Sequence, residues 1–325
     1  MAERAQASIQ DLMREAPDDH DADWLRRALQ WAIQLEMSTI PPYLCAMWSI
    51  KNSVGPVYDR IDSIVKQEMF HMGLACNLLN TIDGSPLINT ATVVPKYPGP
   101  LPGEVHPGLE VGLEGLSKRV VETVFMEVEK PDWPSVIKKE AETFATIGLF
   151  YDAIRSAFER LHENEITGQK QVKFGPTLFA ITNKSDVLRA LKIIQEQGEG
   201  TPSSPLNPTG KPAHYYTFGE ILHEKEAVLT PDGWRYQGLP VPFPDDVYPM
   251  APVPPGGYVE SLEFDKIFTQ TLNKLQEAWN QGESDLLNDA RDLMLEMAEP
   301  ARALMEKPLP SQAQGNYGPS FLLIH

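Results

Sequence analysis

Cysteine is nearly absent: two in 325 residues, Cys45 and Cys76, each inside a helix-patterned apolar segment. Two thiols so placed exclude a disulfide framework and read as buried free cysteines in a reducing compartment. Basic residues are also scarce. Lys and Arg total 28 against 45 Asp and Glu, a formal charge of -17, so the basic footprint required for nucleic-acid binding or adhesion to anionic membranes is missing. No run approaches the roughly 18 apolar residues of a membrane span, and the opening MAERAQASIQDLMREAPDDHD has no apolar signal core. The expectation is a cytoplasmic protein with no nucleic-acid and no membrane partner. Runs of alternating strand pattern, internal repeats and low-complexity tails are absent too, which leaves an all-α class.

What is present is helical periodicity broken by proline-rich excursions. The composition, 42% hydrophobic and 22% charged, is that of a globular chain long enough to bury a large core. Residues 22–51 and 56–80 read as two long helices joined by the short turn KNSVGPV, hence antiparallel neighbours. Residues 84–117 are proline-rich and without period. A third long helix is expected from Val136 to Leu161, with Val136, Thr143, Phe144, Ile147, Tyr151, Ile154, Phe158 and Leu161 on one face. SDVLRALKIIQEQGEG suggests a shorter, serine-capped helix ended by glycine, and another helix is expected over Ala213–Val228. Residues 230–259 read as a second wrapping segment, and 260–282 with 283–306 as a final helical pair. The whole is expected to be one domain, residues 1–325, with a core bundle over about 22–226 and the wrapping segment and helical pair over 227–325.

Chemistry enters through misplaced polar residues. Leu25, Leu29, Ala32, Glu36, Thr39 and Tyr43 follow helical spacing, so Glu36 stands where a buried stripe expects an apolar side chain, and needs a partner. The second helix supplies one. Its stripe, Ile61, Ile64, Val65, Glu68, His71, Met72, Ala75, contains a glutamate and a histidine one turn apart on the same side. A helix with one glutamate beside a helix with Glu-x-x-His is half of a carboxylate-bridged di-metal site. Carboxylate and imidazole donors suit iron and manganese; two iron ions are the expected cofactor, with manganese as the alternative.

The second half has competing candidates. Glu220 and His223 in GEILHEK echo Glu68 and His71. His214 shares a stripe with Phe218, Ile221 and Leu222, and Glu220 lies about 120° around the helix from it. Glu199, in EQGEG, is a ligand or a solvated turn carboxylate. Glu140, Glu142 and Asp152 on the third helix are less well placed than Glu36 or Glu68.

Five blocks in order, LQWAIQLEMSTIPPYLCAMWSI, VKQEMFHMGLACNLLNTIDGSP, TIGLFYDAIRSAF, IIQEQGEG and AHYYTFGEIL, resemble the ferritin-like domain of the iminophenylpyruvate dimer synthase family, whose members couple amino-acid-derived imines in violacein and rebeccamycin biosynthesis. The resemblance is to a stand-alone member and spans roughly residues 22–226. It implies a ferritin-like four-helix bundle with a metal centre held by Glu36, Glu68, His71, Glu199, His214 and Glu220, ranking the last three above His223.

Two function classes follow. One is a di-iron oxidoreductase acting on a small amine- or imine-type metabolite, with aromatic residues such as Tyr43, Trp48 and Phe70 near the ligand-bearing segments. The other is a metal-binding or iron-handling protein without an organic substrate; a metal-free scaffold ranks third. Pro41 and Pro42, one turn beyond Glu36, either loosen the helix to place its carboxylate or serve packing alone. The apolar face of Phe264, Ile267, Phe268, Leu275 and Trp279 reads as core or as a homodimer surface.

Overall fold

The computed structural model describes residues 8–131, 146–198, 205–207, 210–310 and 315–324. Its regular structure is helical apart from one two-stranded hairpin. Helix α1 (Ile9–Arg14) opens on a capping box between Ser8 and Asp11. Helix α2 (Ala22–Ser49) starts at Asp21, whose carboxylate accepts from the Trp24 amide, and runs unbroken through Pro41 and Pro42. Helix α3 (Pro56–Thr81) follows with proline in its first turn, where a missing amide costs nothing. The two run in opposite directions: Arg26 reaches the Ile82 carbonyl at one end, and Thr39 meets Glu68 in the middle.

Every residue of α2 from 32 to 39 and from 41 to 49 is buried, because the α2–α3 pair is covered on two sides. On one side lie α4 (residues 118–128), α5 (Ile147–Arg160), α6 (Lys184–Gly198) and α7 (His214–His223). On the other lie α8 (Leu262–Gln281), α9 (Ser284–Glu296) and α10 (Ala298–Met305). Helix α4 is composite: Lys118–Val120 and Met126–Val128 are α-helical and flank a π turn at Val121–Phe125. Fully buried Trp24, Tyr43, Phe125, Phe150, Tyr151, Phe158 and Phe218 fill the bundle, each contributing about 1.5–3 kcal/mol of apolar transfer.

The prolines of α2 deprive the Met37 and Ser38 carbonyls of their helical donors. The Tyr97 hydroxyl, carried by the 84–117 excursion, donates to the Ser38 carbonyl at 2.6 Å. That excursion is pinned elsewhere by Gln30, which exchanges two bonds with the Leu87 backbone, and by Ser49, whose hydroxyl accepts from the Leu116 amide. It is an ordered strap over the α2–α3 pair, and it brings Leu101 to the site described below.

Several expected boundaries move. The third helix begins at Ile147, capped by the Thr146 hydroxyl, and residues 132–145 lie outside the described set. The cap of α6 is Asn183, whose side-chain oxygen accepts from the Asp186 amide, rather than a serine. Helix α7 ends at His223 because Glu224 turns left-handed, and the chain continues as β1 (Lys225–Thr230) paired antiparallel with β2 (Gly233–Pro240). The last expected helix is two, α9 and α10, meeting at Met297. Phe264, Phe268, Leu275 and Trp279 are buried within the chain, so this face of α8 is core. Cys45 and Cys76 are buried and free. Among the described residues no helix is long and apolar enough to cross a membrane.

Candidate metal centre

Five buried side chains from four helical elements converge between α2, α3, α4 and α7: Glu36, Glu68, His71, Glu129 and His214. They form two overlapping donor groups, Glu36–Glu68–His71 and Glu68–Glu129–His214, with Glu68 common to both. His71 Nδ1 lies 3.5 Å from Glu36 Oε2 and 3.7 Å from Glu68 Oε1. His214 Nδ1 lies 2.7 Å from the same Glu68 Oε1 and 3.4 Å from Glu129 Oε2. The two imidazole rings face each other, centroids 5.7 Å apart and 24° from parallel.

Each carboxylate is oriented in the same way. One oxygen accepts from a hydroxyl on its outer side: Tyr151 donates to Glu36 Oε1, Thr39 to Glu68 Oε2 at 2.7 Å, and Tyr43 to Glu129 Oε1 at 2.5 Å. The other oxygen of each faces the histidine nitrogens. His71 is held likewise, its Nε2 lying 2.8 Å from Gln197 Oε1; with Nε2 as donor, Nδ1 turns an unprotonated lone pair inward. Neither ring nitrogen of His214 makes a hydrogen bond among the described residues, despite the short approach of Nδ1 to Glu68. A buried imidazole with neither nitrogen hydrogen-bonded, set against converging carboxylate oxygens, is an arrangement a cation satisfies, so the donor set fits a pair of divalent ions.

The electrostatics agree. Burial raises the Glu36 carboxyl, with the nearby Glu68 charge adding to it against His71 and Tyr151. Burial pulls both imidazoles down, but it is overcome: Glu36 and Glu68 raise His71, and Glu129 and Glu68 raise His214 to about 10. Burial also raises the Tyr43 hydroxyl, reinforced by Glu129, so it stays a donor. The Glu36 carboxyl and both imidazoles therefore favour their protons in the metal-free pocket, and a cation would take the place of those protons.

A cavity of about 50 Å³ opens beside the centre, walled by Leu35, Leu101, Val128, Ile147 and Ile194 with Gln195 and Gly198 at its edge. Of the residues expected at the site, Glu36, Glu68, His71 and His214 meet there. Glu199 lies outside the described residues, though Gly198 before it reaches the cavity. Glu220 is a correction: it turns away from the centre, its Oε2 accepting from Arg60 Nε at 2.8 Å and its Oε1 from the Ala227 amide at 2.9 Å. His223 is exposed and stacks on Tyr236, and Asp152 accepts from Gln195. Glu129 was missed. Val121, Phe125 and Glu129 share four-residue spacing, the signal that marked Glu36, but the π turn breaks the longer register that would have exposed it.

A crystal structure of a ferritin-like protein from Caulobacter vibrioides superposes with a TM-score of 0.62 at 23% identity, covering 86% of this chain and 93% of that one. That likeness is one of fold. No curated protein matches the sequence. The ferritin-like family model matches residues 29–223, which contain all five converging side chains and more than half of the chain; the protein belongs to the ferritin-like family.

Proposed function

We propose that the protein is a di-iron oxidoreductase that uses dioxygen to oxidise a small amine or imine metabolite. The observation that carries this reading is Glu68, shared between two donor groups that each combine carboxylate and imidazole. Glu36, Glu68 and His71 would hold one ion, and Glu68, Glu129 and His214 the other. Iron suits this mixed donor set, and manganese satisfies it as well. When bound, the metal pair supplies the redox equivalents that carboxyl and imidazole groups lack.

The chain's own residues set the conditions. Tyr151, Thr39 and Tyr43 hold the three carboxylates at fixed angles, and Gln197 fixes the His71 tautomer. Leu35, Leu101, Val128 and Ile194 exclude bulk water. Gln195, its amide engaged by Arg155 on one side and Asp152 on the other, is held as an uncharged polar group in the cavity lining. Support for the substrate class comes from the resemblance of five sequence blocks to the imine-coupling dimer synthases.

The cavity favours a second reading. About 50 Å³ holds a few water molecules, so a metal-handling role without organic substrate uses the site as it stands. Anaerobic titration with ferrous iron followed by air separates the two. Saturation at two ions per chain, with oxygen consumption stimulated by one member of an amine panel, supports the oxidoreductase. Continued oxygen-dependent uptake beyond two ions supports iron handling, and no binding of iron or manganese sinks both.

A further inference from the structure

On the opposite side of the α2–α3 pair lies a much larger cavity, about 410 Å³, roofed by α8, α9, α10 and Phe321. It shares no lining residue with the metal-centre cavity. Met37, Met69 and Met72 line it while their neighbours Glu36, Glu68 and His71 face the metal centre, so the two helices form the wall between the sites. Two of its buried polar groups are satisfied within the chain: Thr271 donates to the Ile267 carbonyl and Trp279 to Asn77. Water entering such a space finds few partners, and a dry void forfeits the dispersion contacts of its whole lining.

The lining also has a distinct chemistry. Six of the chain's eleven methionines, Met37, Met47, Met69, Met72, Met294 and Met297, surround the cavity. Methionine walls adapt to flexible apolar chains because the thioether is unbranched and polarisable. Charge appears only as Asp62, Lys66 and Arg291. Lys66 is engaged by Asp62 at 2.5 Å. Arg291 is half exposed, lies 5.9 Å from the centre of the Phe174 ring, and commits Nε and Nη2 to Asp292, leaving Nη1 without a partner among the described residues. In a chain of charge -17, this apolar cavity carries the Arg291–Asp292 pair, with Arg291 Nη1 left to take a ligand head group.

We propose that this cavity binds a single-chain aliphatic carboxylate, its chain among the methionines and its head group on Arg291. Volume, apolar walls and one guanidinium donor at the rim match that ligand class. The site is independent of metal, because the two cavities share no residue.

The test is binding of octanoate, dodecanoate and hexadecanoate to delipidated full-length protein. It is read by the fluorescence of Trp48 and Trp279, which line the cavity, and by native mass spectrometry. Saturable binding of one ligand per chain, tightening with chain length, is expected, with dodecanoate at least about tenfold tighter than dodecanol. Arg291→Gln should remove that preference and leave dodecanol binding unchanged. Ala298→Phe, which fills the cavity, should abolish binding; should that variant fail to fold, Leu272→Trp serves instead. Glu68→Ala should bind dodecanoate as the wild type does, which separates this site from the metal centre. Absence of saturable binding by any chain length, equal affinity for acid and alcohol, or undiminished binding to a folded cavity-filling variant overturns the proposal.

Discussion

His214 Nδ1 lies 2.7 Å from Glu68 Oε1, yet no hydrogen bond joins them. The same carboxylate oxygen is approached from the other side by His71 Nδ1 at 3.7 Å. Glu68 therefore stands between two imidazoles that arrive from different helices, and the chemistry assigned to this bundle depends on what occupies the space between them.

Removing Glu68 should accordingly remove more than removing any other ligand. Glu68→Ala is expected to lose both ions, whereas Glu36→Ala and Glu129→Ala each strip donors from one group alone and should retain about one ion per chain. Elemental analysis after anaerobic loading and desalting reads the difference. Equal losses in all three variants would contradict a bridging Glu68.

Glu220 provides the control within the same bundle. It is buried, but its partners are Arg60 and the Ala227 amide rather than the histidines. Glu220→Gln should leave metal content unchanged while lowering stability by about 1–3 kcal/mol, since a largely shielded Arg60 loses its closest anion. Thermal melts together with metal analysis check both halves; metal loss without destabilisation would return Glu220 to the ligand set.

What was legible in the sequence follows a simple physical rule. Glu36, Glu68 and His71 interrupt long regular apolar stripes, and in an unbroken helix such an interruption marks an inward-facing polar group. Glu129 obeys the same rule locally but sits just beyond a π turn that shifts the phase of α4, so no long stripe announces it. Glu220 was ranked by resemblance, and the resemblance carries no information about Arg60, which lies 160 positions away on α3. The β1–β2 hairpin escaped because both strands are short and only partly buried, which flattens the alternation, although Thr230-Pro-Asp-Gly233 carries turn chemistry. The strap over 84–117 carries no periodic signal, and its place is set by single contacts: Leu101 walls the cavity, and Tyr97 caps the carbonyl that Pro42 leaves open.

The hydroxyls behind the carboxylates offer a milder perturbation. Tyr151→Phe and Tyr43→Phe leave all five inner side chains in place but free one oxygen of Glu36 or Glu129 to rotate. Each should weaken metal binding by about 10–100-fold, the usual cost of losing an orienting partner, with helicity unchanged. Competitive titration against a chelator of known affinity measures the shift, and wild-type affinity in both variants would show that the hydroxyls do not orient the donors.

Gly219 tests the packing that holds α7 in position. A Cβ there would overlap the Tyr236 hydroxyl and ring edge of the hairpin. Gly219→Ala should push the hairpin off α7 and cost about 1–3 kcal/mol, as overpacking does. The double variant with Tyr236→Ala should recover most of that loss, because the clashing ring is gone. A thermal-melt cycle over the four proteins measures the coupling, and additive losses would place the strain elsewhere.

Protons and metal compete for the same atoms, which fixes the sign of the pH response. In the metal-free fold burial pulls His214 down, but the Glu129 and Glu68 charges raise it to about 10 from an ordinary 6.5. A group raised on folding stabilises fully below its unfolded value and ceases to do so as pH climbs through its folded one. Metal-free protein should therefore lose stability progressively between about pH 6.5 and 10. The raised Glu36 carboxyl pushes the same way, its burial penalty appearing once pH passes its ordinary carboxylate range. Metal binding expels the His214 proton, so affinity should rise about tenfold per pH unit for each proton displaced until the ring is neutral. The loaded protein should show no matching alkaline loss. Titration calorimetry in buffers of different ionisation enthalpy counts the released protons, and a metal affinity independent of pH below 10 would mean that His214 is not displaced by the ion.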